Sequence, residues 1–390
     1  MRTGLDRLLE NPKRWLRSGR VGLVANPTTV DGQLVHAVDL MVRHPDIDLR
    51  LLFGPEHGVR GAAQAMVEVA DGTDPFTELP EVSLYGSRFE SLSPSAQHLS
   101  QIDILIFDVQ DVGARYYTYG ATMALCMQAA RTAQVKVVVL DRPNPIGGQL
   151  VEGGGLDQGL ENFCGLYPVP QRHGMSLGEL ALLYNQAFGI GCELEVISCE
   201  GWARSAYFDG CELPWVMPSP NMPTVETALV YPGMCLLEGT NLSEGRGTTR
   251  PFELFGAPFV DGPVLANALA RWDLPGVRFR PCVIQPTSDK FAGQSCGALQ
   301  LHVVDRQEFR PFRTGLAVLM ATRNIWPEAF AWRTEPYEFR ADVPAIDLLT
   351  GRPAVREAIE RGAAFDSVLE LACAGTEIYD AGRDRALLYE

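Results

Sequence analysis

Short apolar runs that each end in a cluster of polar residues constrain the fold of this chain more than any other feature. The runs are residues 21–25, 48–53, 103–108 and 135–140. Residues 104–107 of the third run are continuously apolar, which is typical of a strand covered on both faces. Stretches with helical periodicity, such as residues 34–43 and 118–133, lie between the runs. This alternation predicts an α/β fold with a doubly wound parallel sheet.

The length of 390 residues and a change of pattern near residue 225 predict two domains. Residues 213–224 contain too many prolines for a helix or a central strand, so we interpret them as the crossover between the domains. Beyond them, the predicted elements are two strands with helices on either side. We therefore expect an N-terminal catalytic domain of residues 1–225, a smaller α+β domain of residues 226–390, and an active site in the cleft between them.

The charge balance excludes several classes of partner. The chain has 33 Lys and Arg against 48 Asp and Glu, a net charge of -15, whereas nucleic acids and anionic membranes require a basic surface. Its nine cysteines are scattered without a C-x-x-C motif, which suits a reducing compartment. The N-terminus does not have the pattern of a signal peptide, and no apolar run reaches the roughly 18 residues of a membrane span. We expect a cytoplasmic protein, or a secreted or periplasmic one if the natural chain begins further upstream.

Polar side chains follow each of the four apolar runs, and a parallel sheet would bring them to one edge, where such folds bind ligands. In chain order they are Asn26, Glu56 with His57, Asp108 with Asp111 and Arg115, and Asp141 and Arg142 with Asn144. The sequence contains no G-x-G-x-x-G after the first run, no phosphate loop and no G-x-S-x-G elbow. It also contains no His-x-x-x-His motif or compact carboxylate cluster. We therefore expect neither a metal nor a cofactor.

The loop at residues 54–61 places Glu56 and His57 between glycines, directly after the second run. One interpretation is structural: Glu56 caps the next helix and His57 bonds a backbone carbonyl. The flanking glycines favour an active-site loop, because they allow a backbone or a substrate to approach closely.

A second dense polar stretch, residues 237–253, alternates small residues with charges, including Glu244 and Arg246. A solvated loop would explain the charges but not the glycines on both sides of Arg246. If this stretch faces Glu56 across the cleft, two carboxylates flank one bond, which is the usual arrangement for glycoside hydrolysis. We then expect Glu56 to be the general acid, because its turn at a buried strand end would exclude water. His57 would orient Glu56, and Glu244 would be the second catalytic carboxylate.

Six motifs of this sequence resemble those of the bacterial NamZ-type exo-β-N-acetylmuramidases. They are FGPEHGVRGAAQ (53–64), FDVQDVGARYYTY (107–119), LDRPNPIGG (140–148), PVPQRHGMSLGELA (168–181), LPWVMPSPNMPT (213–224) and EGTNLSEGRGTTRPFE (238–253). The resemblance implies a Rossmann-like N-terminal domain that binds no dinucleotide, joined to a smaller C-terminal domain. It implies a peptidoglycan glycoside hydrolase that releases N-acetylmuramic acid from the non-reducing end of fragments. It also implies that Glu56, in the GPEHG motif, is the catalytic residue.

The implied substrate fits the charge pattern of the motifs. N-acetylmuramic acid carries a lactyl carboxylate, so an acidic protein must supply arginines locally, and Arg115, Arg142, Arg172 and Arg246 all lie in these motifs. The 2-acetamido group of the sugar could itself act as the nucleophile, which leaves the stereochemistry open and would relieve Glu244 of that role. The residues expected to bind substrate are Asn26, Arg115, Tyr116, Arg142, Asn144, His173, Asn221, Asn241 and Arg246.

Two other functions compete with this interpretation. A sugar-nucleotide-dependent transferase could use Asp108, Asp111 and Arg142 at the sheet edge, although the absence of a phosphate loop counts against it. A non-catalytic peptidoglycan- or glycan-binding protein could use Tyr116, Tyr117, Tyr119 and Trp215 as stacking platforms, although aromatic residues in such positions are more often part of the core.

Overall fold

The structure, a computed structural model, describes residues 1–17, 19–61 and 71–390, so residues 62–64 of the first motif lie outside the described residues. The strands are β1 (Arg20–Ala25), β2 (Asp48–Gly54), β3 (Gly72–Thr73), β4 (Pro80–Ser83), β5 (Ile104–Asp108), β6 (Lys136–Leu140), β7 (Leu194–Ile197), β8 (Leu254–Ala257), β9 (Val277–Ile284) and β10 (Cys296–Val303). The α-helices are α1 (Gly4–Glu10), α2 (Pro12–Leu16), α3 (Ala37–Arg43), α4 (Ala96–Leu99), α5 (Tyr119–Ala133), α6 (Leu177–Gln186), α7 (Val225–Met234), α8 (Gly262–Leu269), α9 (Pro311–Ile325), α10 (Ala345–Thr350), α11 (Pro353–Glu360), α12 (Phe365–Ala372) and α13 (Glu377–Ala386). Short 3-10 helices span Phe89–Leu92, Phe208–Cys211 and Cys235–Gly239. Within the described ranges, no helix is both long enough and apolar enough to cross a bilayer.

The larger sheet has the strand order β3-β4-β2-β1-β5-β6-β7. All neighbouring strands pair in parallel except β3 and β4, which are antiparallel. Alternate residues of one strand enter different cores: Leu105 and Phe107 of β5 pack in a cluster with α5 and α6, whereas Ile104 and Ile106 pack with α1 and α3. Helices therefore cover both faces, and the predicted doubly wound parallel sheet is confirmed.

The second half of the chain forms a smaller α+β unit, as predicted. Its antiparallel sheet has the order β8-β10-β9 and packs against α8. The cluster of buried side chains that includes α5 and α6 continues into α7 and α9, so the two halves share one core. The boundary between residues 225 and 226 remains a prediction.

Helix α7 follows the proline-rich segment and is not indicated by the local sequence, because Pro232 and Gly233 lie near its end. Tertiary packing explains the glycine: a Cβ on Gly233 would clash with the backbone of Pro311, and one on Gly315 of α9 would clash with the backbone of Gly233. The two helices therefore cross at a distance that only glycine permits at this contact. This close crossing positions the 3-10 helix Cys235–Gly239, which follows α7 directly.

Candidate active site

The carboxyl ends of β2, β1, β5 and β6 lie side by side at one edge of the sheet. The polar clusters that follow these strands are therefore neighbours, as predicted. Two of the clusters are joined directly, because Thr29 donates to the carbonyl of Asp108 at 2.5 Å. The Asp108 carboxylate in turn accepts from Arg142 Nε at 2.5 Å and Nη2 at 3.0 Å. Asn26 is fully buried and accepts from the Thr28 hydroxyl at 2.6 Å. These residues form a buried hydrogen-bond network at the carboxyl ends of the strands.

Glu56 and His57 occupy the two central positions of a tight turn after β2. The amide of Gly58 donates to the carbonyl of Pro55 at 2.9 Å, and His57 has a left-handed φ of 79°. This conformation is uncommon for a residue other than glycine. A Cβ on Gly54 would lie 3.0 Å from the Cα of Gly58, so the turn packs against itself. His57 is buried, whereas Glu56 is partly exposed.

A pocket that is partly open to solvent lies between the two halves of the chain. The turn of Glu56 contributes from the sheet edge, and the remaining walls come from the loop before α5 and from the second half. The lining residues are Glu56, His57, Tyr116, Tyr117, Thr118, Tyr119, Ser219, Tyr231, Glu238, Arg246, Tyr337 and Glu338. The pocket therefore combines carboxyl groups with aromatic rings, the two components that carbohydrate chemistry needs.

The tyrosines of this pocket are fixed against one another. The ring of Tyr117 lies edge-on to Tyr119 at 5.0 Å and to Tyr231 at 5.7 Å, and Tyr116 lies edge-on to Tyr231 at 5.8 Å. The hydroxyl of Tyr119 donates to the carbonyl of Pro218 at 2.6 Å. The rings thus form a rigid wall rather than exposed stacking platforms.

Glu238 is held in the pocket by two partners. Its carboxylate accepts from Arg246 Nη2 at 2.8 Å and from the Tyr337 hydroxyl at 2.7 Å. Burial by itself would raise the pKa of Glu238, but Arg246 and Tyr337 outweigh it and hold that pKa below its usual value. Glu238 is therefore an ionised side chain in a fixed position, a role that the sequence did not reveal.

Glu338 reaches the pocket from a two-residue turn. Tyr337 and Arg340 exchange backbone hydrogen bonds of 2.8 and 2.9 Å, and the central residues Glu338 and Phe339 have φ of 44° and 65°. Such a turn normally contains Asn or Gly. Burial raises the pKa of Glu338 to about 8, and the carboxylates of Glu56 and Glu238 contribute to the increase. No motif or spacing in the sequence indicated a role for Glu338.

Glu244, expected to be the second catalytic carboxylate, does not line this pocket. It is 2% exposed, and its carboxylate contacts Arg246 Nε at 3.2 Å and Lys290 Nζ at 2.9 Å. The polar stretch at 237–253 does contribute to the site, but through Glu238 and Arg246. Glu244 therefore contributes to the site through its ion pair with Arg246.

Arg115, expected to bind substrate, is buried among backbone carbonyls. It donates to Gly154, Val169 and Leu349 at 2.8 to 2.9 Å. Burial lowers its pKa to about 10. Because Leu349 lies in α10 of the second half, Arg115 ties the two halves together.

We expect Arg115→Lys to lower the free energy of unfolding by about 2 to 3 kcal/mol, because an ammonium group cannot serve this set of buried carbonyls in the geometry of a guanidinium. Urea denaturation of the variant and the wild type measures the difference. An unchanged stability combined with a raised KM would instead restore the substrate-binding role.

The remaining residues expected to bind substrate lie outside the pocket lining. Asn144 donates to the carbonyl of Met175 at 2.9 Å, and His173 lies 3.4 Å from Asp111. Asn221 follows Ser219, which lines the pocket, and Asn241 lines a separate recess of the second half. Within the described chain, the pocket therefore brings together Glu56, His57, Tyr116 and Arg246 from the sequence-based set. Whether the others contact substrate stays a prediction.

Carboxyl groups from both halves of a doubly wound α/β fold, converging on a tyrosine-walled pocket, define the site of a carbohydrate-cleaving hydrolase. Comparisons with known proteins agree. Family models for the N-terminal and C-terminal domains of the exo-beta-N-acetylmuramidase NamZ match residues 21–226 and 229–389. A Bacillus subtilis protein named peptidoglycan beta-N-acetylmuramidase NamZ is 44% identical over 389 residues, which are 100% of this chain and 91% of that protein.

Two crystal structures of DUF1343 family proteins from Bacteroides fragilis are also similar. They have TM-scores of 0.90 and 0.77 and sequence identities of 32% and 28%, with 100% of this chain and 99% of each of theirs covered. The chain therefore belongs to the exo-β-N-acetylmuramidase NamZ family and is a glycoside hydrolase, as the motifs predicted. This family assignment favours the hydrolase over the alternative of a nucleotide-dependent transferase, and Asp108 and Arg142, on which that alternative relied, pair with each other.

Proposed function

We propose that this chain removes the terminal non-reducing N-acetylmuramic acid from peptidoglycan fragments, with Glu56 as the general acid. The observation that carries the proposal is the pocket in which Glu56 faces Glu238 and Glu338 from the other half of the chain. The name of the Bacillus subtilis relative and of the matching family supports this substrate class.

In the proposed reaction, the Glu56 carboxyl protonates the glycosidic oxygen as the bond to C1 breaks. A water molecule then completes hydrolysis at C1, and a second carboxyl group accepts its proton. The tight turn supports this role for Glu56, because it holds the side chain at the end of β2 with little freedom to move. His57, buried beside it, would fix the orientation of that carboxyl.

Arg246 is the residue we propose to bind the lactyl carboxylate. Arg172, like Arg115 and Arg142, is buried and bonded within the protein. Arg246 lines the pocket: Nη2 binds Glu238 and Nε contacts Glu244. Among the described residues, Nη1 of Arg246 has no acceptor, so this atom can donate to a carboxylate of the substrate.

Hydrolysis of chromogenic β-glycosides tests this function. We expect the wild type to hydrolyse the N-acetylmuramic acid glycoside with a kcat/KM about 10² times or more above that for the N-acetylglucosamine glycoside, which lacks the lactyl group. The two substrates otherwise present the same sugar ring and leaving group. Equal turnover of both glycosides, or turnover of neither, would refute the proposed specificity.

We further propose that the enzyme acts in the cytoplasm on fragments released during cell-wall turnover. The observation in favour is that all nine cysteines are free thiols, eight of them at least partly buried, which suits a reducing compartment. Fractionation of cells that produce the protein, with activity assayed in each fraction, tests the location. Activity confined to the medium or periplasm would refute it.

A further inference from the structure

We propose that Glu338, which a strained turn of the second half places in the same pocket as Glu56, is the second carboxyl group of the reaction centre. This inference rests on the proposed function and identifies the group that keeps a proton available to the leaving oxygen. It replaces Glu244, whose carboxylate is occupied by Arg246 and Lys290.

The backbone conformation that positions Glu338 is strained. Two successive non-glycine residues with left-handed φ store conformational strain, and such strain persists only where the surroundings fix it. Here Arg340 donates to the carbonyls of Gly159 and Glu161 at 3.2 and 3.1 Å. The ring of Phe339 packs edge-on against Phe163 at 5.9 Å. Contacts to the N-terminal half therefore fix the turn that directs Glu338 into the pocket.

The charges around Glu338 favour retention of a proton. Negative neighbours are Glu56 and Glu238, and the positive groups are Arg246 and Arg333, whose opposing influence is smaller. The other titratable groups nearby are His57, Tyr85, Tyr337 and Cys164. Among the described residues, no donor lies within hydrogen-bonding distance of the Glu338 carboxyl, whereas Glu238 has two such donors.

These surroundings give Glu238 and Glu338, the two carboxyl groups that the second half contributes, different functions. Glu238 is ionised and paired, so it cannot give up a proton to a substrate. Glu338 has a pKa of about 8 and lines the same pocket as Glu56, so Glu338 holds a proton at neutral pH. This proton reaches the glycosidic oxygen through Glu56, the C1–O bond breaks with its electron pair on that oxygen, and water adds OH to C1 and returns a proton to Glu338.

The pH dependence of kcat/KM for the chromogenic N-acetylmuramic acid glycoside tests the inference. We expect activity of the wild type to fall as pH rises through about 8, because Glu338 then loses its proton. Glu338→Gln lacks this proton, so its basic limb should move to lower pH by about one unit or more. The activity at pH 8 should then fall by about tenfold or more. Glu335→Gln, on the same segment but with a 73% exposed side chain, should retain the wild-type profile.

A second measurement does not depend on the folding of Glu338→Gln. In the wild type labelled with ¹³C at glutamate side chains, we expect one carboxyl resonance to titrate near pH 8 and to titrate at lower pH in Glu56→Gln. Superimposable basic limbs in Glu338→Gln and the wild type, or no glutamate that titrates above about pH 6.5, would overturn the inference. A wild type inactive on both glycosides would refute the proposed function as well, whereas an active wild type with an unmoved limb refutes only the role of Glu338.

Discussion

Replacement of Glu56 by glutamine is expected to lower kcat/KM for the N-acetylmuramic acid glycoside by a factor of about 10² or more. Glutamine has almost the same shape but cannot donate the carboxyl proton to the leaving oxygen. The loss should be greatest for substrates with a poor leaving group, such as a natural muramyl disaccharide, because these depend most on protonation. Steady-state kinetics on the chromogenic and natural substrates measure both effects.

The control for this experiment is Glu90→Gln, an exposed glutamate on the 3-10 helix Phe89–Leu92. It makes the same chemical change outside the pocket and should leave both substrates unaffected. A Glu56→Gln variant that lost the same factor on both leaving groups would argue against proton donation by Glu56. In that case, Glu56 would act on binding or on the position of the substrate.

The sheet was predictable because its strands are encoded by local patterns. Residues 104–107 are apolar throughout, and every residue of β5, which contains them, is buried. Helix α6 is also encoded locally, because Ser176 and Glu179 form a capping box at its N-terminus. Helix α7 could not be predicted from the local sequence, because its last turn contains Pro232 and Gly233. The glycine is explained only by the close crossing with α9, where a Cβ would clash.

The site was predictable only where function and local sequence coincide. The glycines around Glu56 mark its turn, so the sequence indicates Glu56 as a candidate, and it does line the pocket. In the stretch at 237–253, however, several acidic residues compete, and the choice of Glu238 over Glu244 depends on the 3-10 helix Cys235–Gly239 and on ion pairs that no local pattern encodes. Glu338 gives no signal, because its turn contains neither of the residues that usually mark a left-handed turn.

Replacement of Arg246 by methionine is expected to lower the free energy of unfolding by about 3 to 5 kcal/mol. The side chain contacts Glu238 at 2.8 Å and Glu244 at 3.2 Å, and both carboxylates are largely buried. Methionine retains much of the volume but leaves Glu238 with only the Tyr337 hydroxyl as a partner. The cost therefore comes mainly from a buried charge that has lost its counter-ion.

The pH dependence of this effect follows from the pKa of Glu238. In the wild type that pKa lies below its usual value, so the contribution of Glu238 to stability is present above the usual pKa and is lost as pH falls. Without Arg246, burial dominates and raises the pKa, so the contribution is instead lost as pH rises. The difference in stability between the two proteins should grow between about pH 4 and pH 8. Urea denaturation at several pH values measures it.

The double variant Arg246→Met/Glu238→Gln separates the charge effect from packing. Arg246 also lies over the ring of Phe252, with 5.3 Å from Cζ to the centroid, so its loss could act through that contact. If the uncompensated carboxylate is the cause, removal of its charge should restore part of the stability and flatten the pH dependence. A double variant no more stable than Arg246→Met at pH 8 would assign the loss to packing. The lactyl-binding role of Arg246 would then have to be tested with Arg246→Lys, which retains the charge.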